Sequence, residues 1–330
     1  EVNLVSISIK KAHSLLGHMN EEYTRKAAAH LGMTVTRGSL GKCESCAIGK
    51  ARQKNIGKGD DNPPTCIGEL WYIDGLSIKQ TKKTKGPFPS NNKAVMMTEH
   101  KTGTGFLGWF NTKDGFINDY IIKMNVLKDR RKYSFKRLRA DGAGENKSFV
   151  NEANGKQWKF TIVPEWTARA TPQANLVENP IFVCTMRART LQAEANVPDD
   201  MKNITFPLAY KFASQTRALE VIDIDGSIQT RHEHLFGSLP NYASQKCMRT
   251  WGEAVTIKVK GKQDPKSKEN GITCMFGCYS EDRSSDCYTC FDPKTLQSYH
   301  SRDATWMNRM YFGRDPKVPR TGRVLQIEGL

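Results

Sequence analysis

The chain has 330 residues, and its 50 Lys and Arg against 34 Asp and Glu give a formal net charge of +16 and a pI of about 9.4. This length is enough for two or three domains with cores of their own. No run approaches eighteen apolar residues, so we expect no membrane-spanning helix. The first residue is Glu and no charged-then-apolar leader follows, so we expect a targeting signal to be absent or already removed.

The positive charge predicts a polyanionic partner, because basic residues release counterions from phosphates on binding. The alternative is a basic protein that is merely soluble, or an organellar one. We favour nucleic acid, DNA or RNA, because the basic residues cluster along the chain. The predicted phosphate contacts are Lys79, Lys82, Lys83, Lys85, Arg137, Arg139, Lys258, Lys260 and Lys262.

Two pairs of metal-ligand residues occur in the first domain, which we assign to 1–57. His13 and His18 are separated by four residues, and Cys43 and Cys46 form a CxxC. Two imidazoles and two thiolates satisfy the closed tetrahedral coordination of a structural zinc. A domain this small buries little apolar surface, so the metal would supply much of its folding free energy.

Alternatives to this zinc site are a chance pairing and a competing ligand, His30. That residue lies in EEYTRKAAAHL, which predicts a helix because Ala and Leu are strong helix formers and acidic residues occupy the first turn. The nine cysteines, an odd number, also favour metal binding in a reducing compartment over a disulfide framework.

A Gly-, Asp- and Pro-rich stretch predicts a linker at 58–66, followed by a domain at 67–215. ELWYIDGLSIK, NKAVMMTEH and GTGFLGWFN predict three strands, and FKRLRAD and FTIVPEW two more. DGFINDYIIKMNVLKDR has apolar residues at helical spacing, with Asp114 as the predicted N-cap. A further helix is expected from near Asn175 through MRARTLQAEA. The fold class is therefore mixed α/β.

The last segment, 216–330, predicts a β-rich domain with basic loops and an extended basic tail. VIDIDGSIQT predicts a hairpin, and AVTIKVKGK alternates so that its lysines share one face. That row of lysines either guards a sheet edge or faces phosphates. A CxxxC and a CxxC follow, which we interpret as small buried apolar residues rather than a second zinc site. These cysteines are Cys274, Cys278, Cys287 and Cys290.

Several short motifs resemble the integrase region of Ty1/copia-type retrotransposon polyproteins, in the order of that family and over nearly the whole chain. AHSLLGHMN followed by GKCESCAIGK resembles its zinc-binding pre-integrase segment. LWYIDGLSI, LRADGAGENKSF and TPQANLVEN resemble the segments around the first Asp, the second Asp and the Glu of its catalytic triad. VPDDM, HLFGSLPNY, RTWGEA and YHSRDATWMNRMYF resemble its downstream segments.

The resemblance implies a ribonuclease-H-like core with an Asp-Asp-Glu triad that binds magnesium or manganese. Carried over residue by residue, the triad is Asp74, Asp141 and Glu178. Sixty-six residues separate the first two and thirty-six separate the last two. Two divalent cations held about 4 Å apart can activate an attacking oxygen and stabilise the leaving one at a phosphodiester.

The third carboxylate departs from the family pattern. Read without a gap, the pattern places the Glu at Asn179, and one residue on a helix turns a side chain by about 100°. Pro180 also biases Asn179 away from helical angles. Leu176 and Gly142 depart from the pattern as well. We therefore predict that Asn179 faces the two aspartates, that Glu178 points to solvent or to a basic neighbour, and that the triad is impaired.

The sequence leaves two candidate functions and a third reading without a function. The first is an integrase that transfers DNA strands, works as a homo-oligomer and lies in the nucleus. The second is a domesticated integrase fold without catalysis, which serves as a nucleic-acid-binding or structural subunit of a larger (ribo)nucleoprotein, organellar or elsewhere in the cell. A relic without function is the third. Neither of the first two predicts a membrane partner.

Overall fold

The computed structural model describes residues 5–50, 62–78, 93–167, 176–258 and 270–313, the last range without 282, 284 and 285. Part of the sequence interpretation falls outside these ranges. It comprises Lys79, Lys82, Lys83, Lys85, Lys260 and Lys262, the TPQAN motif at 171–175, and the tail from 314 onward. In the described part, no helix is long and apolar enough to cross a membrane.

The first segment holds three helices and a small sheet. Its elements are β1 (Val5–Ile7), α1 (Ile9–Leu15), α2 (Glu21–His30), β2 (Met33–Val35) and α3 (Glu44–Gly49). The predicted helix is confirmed as α2, which begins after Asn20 because that side chain accepts a hydrogen bond from the Tyr23 amide at 2.8 Å. The strands β1 and β2 pair in parallel.

The central segment contains a five-stranded sheet with helices on both faces. In chain order it comprises β3 (Leu70–Ser77), β4 (Lys93–Glu99), β5 (Gly105–Phe110), α4 (Ile117–Arg131), β6 (Arg137–Asp141), α5 (Gly144–Ala153), β7 (Val163–Thr167) and α6 (Glu178–Glu194). The strand order is β5-β4-β3-β6-β7. Strand β4 is antiparallel to both neighbours, whereas β6 and β7 run parallel to β3. The mixed α/β prediction is confirmed.

Three details of this segment differ from the sequence interpretation. Helix α4 is capped by Phe116 and not by Asp114, whose backbone carbonyl accepts from the Ile117 amide instead. Helix α5 was not predicted, because its short sequence GENKSFVNEA has only two large apolar residues. Helix α6 begins at Glu178, with Val177 as its N-cap.

The two faces of the central sheet bury different side chains, because neighbours along a strand point to opposite sides. Trp71 and Ile73 pack with residues of α4 and α5. Leu70 and Tyr72 point the other way, into a cluster that includes Val177 beside the start of α6. This second face is the one that positions the site described below.

The last segment is β-rich, as predicted. Helix α7 (Asp199–Arg217) precedes it and lies almost wholly within the predicted central domain, 67–215. The elements that follow are β8 (Val221–Ile224), β9 (Ser227–Thr230), α8 (Arg231–Phe236), β10 (Glu253–Lys258), β11 (Gly271–Tyr279), β12 (Tyr288–Asp292), β13 (Gln297–Ser301) and β14 (Ala304–Met310). The predicted hairpin is confirmed as β8 and β9. The other five strands form one antiparallel sheet in the order β13-β12-β11-β10-β14.

The four cysteines of this sheet are buried, with exposed fractions of 0% for Cys274, 1% for Cys278, 7% for Cys287 and 0% for Cys290. Burial raises the pKa of the Cys274 thiol to about 12, so it stays protonated at neutral pH. This placement supports the interpretation of these residues as apolar core.

One cluster of buried side chains extends through all three segments. Leu16 of the first segment, Tyr72 of the central sheet, Leu191 of α6, Phe212 of α7 and Phe276 of the last sheet all belong to it. The first segment therefore does not rely on its own small surface, as the sequence interpretation assumed, because α6 and α7 cover its apolar side.

Candidate functional site

The structure brings the four predicted zinc ligands to one place. His13 lies in the last turn of α1, and His18 follows in a left-handed conformation with φ 60°. Cys43 is the N-cap of α3, and Cys46 lies in that helix. His30, the competing ligand, lies elsewhere and contacts the Glu233 carboxylate at 2.7 Å.

The ligand atoms of this His2Cys2 group face one another. One nitrogen or sulfur from each of the four side chains lies within 4.8 Å of all the others. His13 Nε2 is 3.0 Å from His18 Nδ1, and Cys46 Sγ is 3.3 Å and 3.5 Å from these two atoms. Cys43 Sγ is 3.6 Å from His18 Nδ1.

Three of these separations match the edges of a zinc tetrahedron, and the His13–His18 separation of 3.0 Å is shorter. Zinc bonds of about 2.0–2.3 Å place neighbouring ligand atoms about 3.3–3.8 Å apart. The donor set, two imidazoles and two thiol groups, is also one that structural zinc takes. The residues present therefore fit a closed zinc site without a large rearrangement.

The outward-facing nitrogen of each histidine has a hydrogen-bond partner. His13 Nδ1 lies 2.7 Å from the Met19 carbonyl oxygen. His18 Nε2 lies 2.8 Å from Glu194 Oε2, at the last residue of α6. Such partners fix the tautomer and the ring orientation of metal-binding histidines. Each imidazole thus directs its remaining nitrogen toward the cysteines.

The electrostatics of the group favour a bound cation. Burial by itself lowers the pKa of His18, but the charge of Glu194 and hydrogen bonds with Cys43 and Glu194 raise it to about 9. Burial lowers the pKa of His13. Hydrogen bonding within the Cys43–Cys46 pair lowers the pKa of Cys43 and raises that of Cys46. The negative field that holds a proton on His18 also stabilises a metal cation there.

Two of the predicted catalytic carboxylates lie on neighbouring parallel strands. The paired register ends at Tyr72 and Arg139, and Asp74 and Asp141 each follow two residues further along their strands. The charge of Asp141 raises the pKa of Asp74, which places the two carboxylates within electrostatic reach of each other. Asp141 ends β6, whereas Asp74 lies within β3, because β3 continues to Ser77 in its pairing with β4. Asp141 therefore lies at the end of its strand and Asp74 does not.

Glu178 approaches this pair from the first residue of α6. The pKa of Glu178 is raised by burial and by the negative charge of Asp74. Asn179 is exposed. These two observations favour Glu178 over Asn179 as the residue on the side of Asp74, against the expected arrangement. The helix starts at Glu178, so Pro180 occupies its first turn, where a missing amide is tolerated.

Like charges act on the carboxylates, and hydrogen-bond donors among the described residues contact Asp74 and Asp141. The pKa of Asp74 is raised first by burial and then by the charge of Asp141. The Gly75 amide donates to Asp74 at 2.7 Å, and the Asn146 side-chain amide donates to Asp141 at 2.6 Å. Carboxylate oxygens of this kind are the ligands that magnesium and manganese prefer, so the donor chemistry fits a divalent cation.

The predicted nucleic-acid contacts lie in different environments. Arg137 and Arg139 are half-buried and both pair with Glu165, at 3.2 Å and 2.7 Å. Lys258 is exposed at the end of β10. A phosphate would therefore have to displace a carboxylate from the two arginines but would reach Lys258 directly.

Sequence reasoning missed two residues that organise these sites. Glu194 belongs to no recognisable motif, and its role depends on where α6 ends, because that end brings it to His18. Asn146 lies five residues after Asp141, in LRADGAGENKSF, where a polar residue in the first turn of a helix was the available signal.

No protein-family model matches the chain, and no curated protein matches it. Among solved structures it is similar to a simian T-cell lymphotropic virus intasome in complex with PP2A regulatory subunit B56 gamma, at 13% identity and a TM-score of 0.37, covering 92% of this chain and 96% of that chain. It is also similar to the integrase catalytic core domain of HTLV-2 in complex with magnesium, in a trimeric form, at 12% identity, a TM-score of 0.34 and coverage of 52% and 99%.

A third solved structure with similarity is the catalytic core domain of BIV integrase, at 15% identity and a TM-score of 0.32, covering 52% of this chain and 95% of that chain. All three likenesses are distant in sequence and in geometry.

Proposed function

We propose that this chain is an integrase-like protein that binds nucleic acid and transfers DNA strands at Asp74, Asp141 and Glu178. What supports the proposal is that Asp74 and Asp141 lie on neighbouring parallel strands, and that Asp141 raises the pKa of Asp74 while Asp74 raises that of Glu178. Like charges gathered at one place suit the binding of a divalent cation.

In strand transfer, a DNA 3′-hydroxyl attacks a target phosphorus, a new phosphodiester forms, and the displaced 3′-oxygen leaves and takes up a proton. Divalent cations bound here would activate the attacking oxygen and stabilise the leaving one. Asp74 and Asp141 would hold them from the sheet and Glu178 from α6. Asn146 orients the Asp141 carboxylate through its hydrogen bond of 2.6 Å.

The zinc of this proposal has a structural role. His13, His18, Cys43 and Cys46 leave no position of a tetrahedron open for a substrate, and their distances suit a closed site. Basic residues such as Lys258 would hold the phosphates of DNA or RNA. Assembly as a homo-oligomer and a nuclear location belong to the same proposal.

A second function is favoured by a specific observation. Within the described ranges, the His2Cys2 group is the one that brings three or more ligand atoms within 4.8 Å of one another. The three carboxylates do not converge to that extent. This arrangement favours a catalytically inactive integrase fold that acts as a nucleic-acid-binding or structural subunit of a (ribo)nucleoprotein, organellar or elsewhere in the cell.

A strand-transfer assay with a matched DNA end, run with magnesium and with manganese, separates the two functions. We expect metal-dependent joining by the wild-type chain and its loss in Asp74→Asn, while DNA binding persists in both. Divalent cations should also raise the unfolding temperature of the wild type and not of the variant, because ligands stabilise the state that binds them. DNA binding without joining, and without this stabilisation, would establish the second function.

A further inference from the structure

We call the first segment, which carries the His2Cys2 group, the zinc-binding segment. It packs closely on α6 and α7. A Cβ placed on Gly49, at the end of α3, would lie 2.2 Å from Thr190 Oγ1 and 2.8 Å from the Thr190 amide nitrogen in α6. A Cβ placed on Gly17, just before His18, would lie 2.1 Å from Thr216 Oγ1 in α7. Both contacts leave room for hydrogen alone. The backbone near His18 and the end of α3 therefore lie in direct contact with α7 and α6, respectively.

Glu194 joins this segment to α6 through both of its carboxylate oxygens. Oε2 lies 2.8 Å from His18 Nε2, and Oε1 accepts a hydrogen bond of 2.8 Å from the Ser14 hydroxyl. The side chains of His18 and Glu194 are only 2% and 12% exposed. Ser14 and His18 both belong to the zinc-binding segment, on either side of the turn that follows α1.

The position of Glu194 runs against local preference. It is the last residue of α6, where the helix dipole disfavours a negative charge. A buried carboxylate also costs free energy unless it is paired. Residues that break a local rule in this way occur mainly at functional sites. A positive or metal-bound imidazole at His18 would offset both costs.

Charges around the His2Cys2 group are arranged in a complementary way. Lys50 lies on the cysteine side, and its ammonium group donates to the His18 carbonyl oxygen. Glu194 lies on the histidine side. Two thiolates and a zinc dication sum to zero, so one outer cation and one outer anion keep the whole site neutral. Such neutrality suits a buried metal centre, because an uncompensated charge is costly there.

We propose that Glu194 is a positioning residue that completes the zinc site from α6, so that zinc binding and attachment of the zinc-binding segment to α6 are one event. Outer partners of this type orient the ligating imidazole and strengthen it as a donor. The inference goes beyond strand transfer and holds whether or not the carboxylate site is active. It rests on the zinc binding proposed above.

Zinc affinity of the full chain tests this proposal, measured by competition with a chromogenic chelator. Glu194→Gln keeps the shape of the side chain and removes its charge, and we expect zinc to bind about 10–100-fold more weakly. Ser14→Ala removes one support of Glu194 without touching a ligand, and we expect a loss of about 2–10-fold. Glu152→Gln, an exposed glutamate in α5, is the matched control and should bind zinc as the wild type does.

Hydrogen exchange of the backbone amides in the last turn of α6 gives a second readout. In the wild type, chelating zinc should accelerate exchange there; in Glu194→Gln, exchange should be fast with and without zinc. Zinc affinity within twofold of the wild type in both Glu194→Gln and Ser14→Ala would overturn the proposal, as would zinc-independent exchange in the wild type. A wild-type chain that binds no zinc would overturn the zinc site itself and this proposal together.

Discussion

Glu178 and Glu194 are the first and the last residue of one helix, α6. At 1.5 Å per residue they are separated by about 24 Å along the helix axis. Glu178 interacts with Asp74 of the central sheet, and Glu194 contacts His18 of the His2Cys2 group. A single rigid element therefore connects the two candidate metal centres.

The position of Glu178 predicts which residue supports catalysis. Glu178→Gln should lower metal-dependent strand transfer by about 100-fold or more, because one charge that stabilises the reacting centre is lost. Asn179→Ala should change the rate by less than about threefold, because this side chain is exposed. Initial rates in magnesium measure both. A loss of rate in Asn179→Ala, with Glu178→Gln near the wild-type rate, would return the third position to Asn179.

The buried Glu220 predicts a specific loss of stability in acid. Burial by itself would raise its pKa, but the charges of Arg187, Arg231 and Arg217 lower it to about 2. A carboxyl with a lowered pKa in the folded state stabilises the protein above its ordinary pKa, here 4.5. That contribution is lost as pH falls from about 4.5 through about 2.

Glu220→Gln should therefore destabilise the protein by about 3–5 kcal/mol at neutral pH, because the buried arginines lose their partner. The difference in unfolding free energy between the wild type and the variant should shrink as pH falls below 4.5. Urea unfolding at a series of pH values measures it, with Glu152→Gln as the exposed control. A difference that does not depend on pH would contradict the assignment.

The contact between Gly49 and Thr190 predicts an effect opposite to helix propensity. Alanine favours a helix over glycine by up to about 1 kcal/mol, but a Cβ at Gly49 meets the Thr190 backbone at 2.8 Å and 2.9 Å. Gly49→Ala should destabilise the zinc-loaded protein by about 1–3 kcal/mol. Gly144→Ala, at the start of α5 with no atom within 4 Å of its Cβ, should be neutral or stabilising. Urea unfolding in excess zinc compares the two variants.

Salt dependence distinguishes the predicted phosphate contacts. Binding to DNA should weaken steeply with salt, because it releases counterions from the phosphates. Lys258→Ala should reduce the slope of the logarithmic plot by about 1. Arg139→Ala should reduce it less, because Arg139 is paired with Glu165 at 2.7 Å. Titrations of a labelled duplex at several salt concentrations measure the slopes. The control is Lys26→Ala, because Lys26 is paired with Glu22 in the first segment. Salt-independent binding would exclude phosphate contacts as its basis.

Local patterns in the sequence were sufficient for most of the elements. The apolar, β-prone run around Asp74 predicted β3, and strong helix formers with acidic residues in the first turn predicted α2. The spacing of His13, His18, Cys43 and Cys46 indicated a metal site. These features depend on residues close together in the chain, whose preferences act before any tertiary contact forms.

Tertiary structure alone decided three points. The start of α6 at Glu178 depends on how Val177 packs in the shared core, and that one-residue choice sets which side chain interacts with Asp74. Glu194 reaches His18 across 176 positions of the chain, a distance at which no sequence spacing indicates contact. The pairing of Arg137 and Arg139 with Glu165 follows from the register of β6 and β7. The sequence by itself determined which chemical groups this protein has. Only packing determined which of these groups come into contact. The reason is that the rotation of a helix and the register of a strand decide which side chains face a partner distant in the chain.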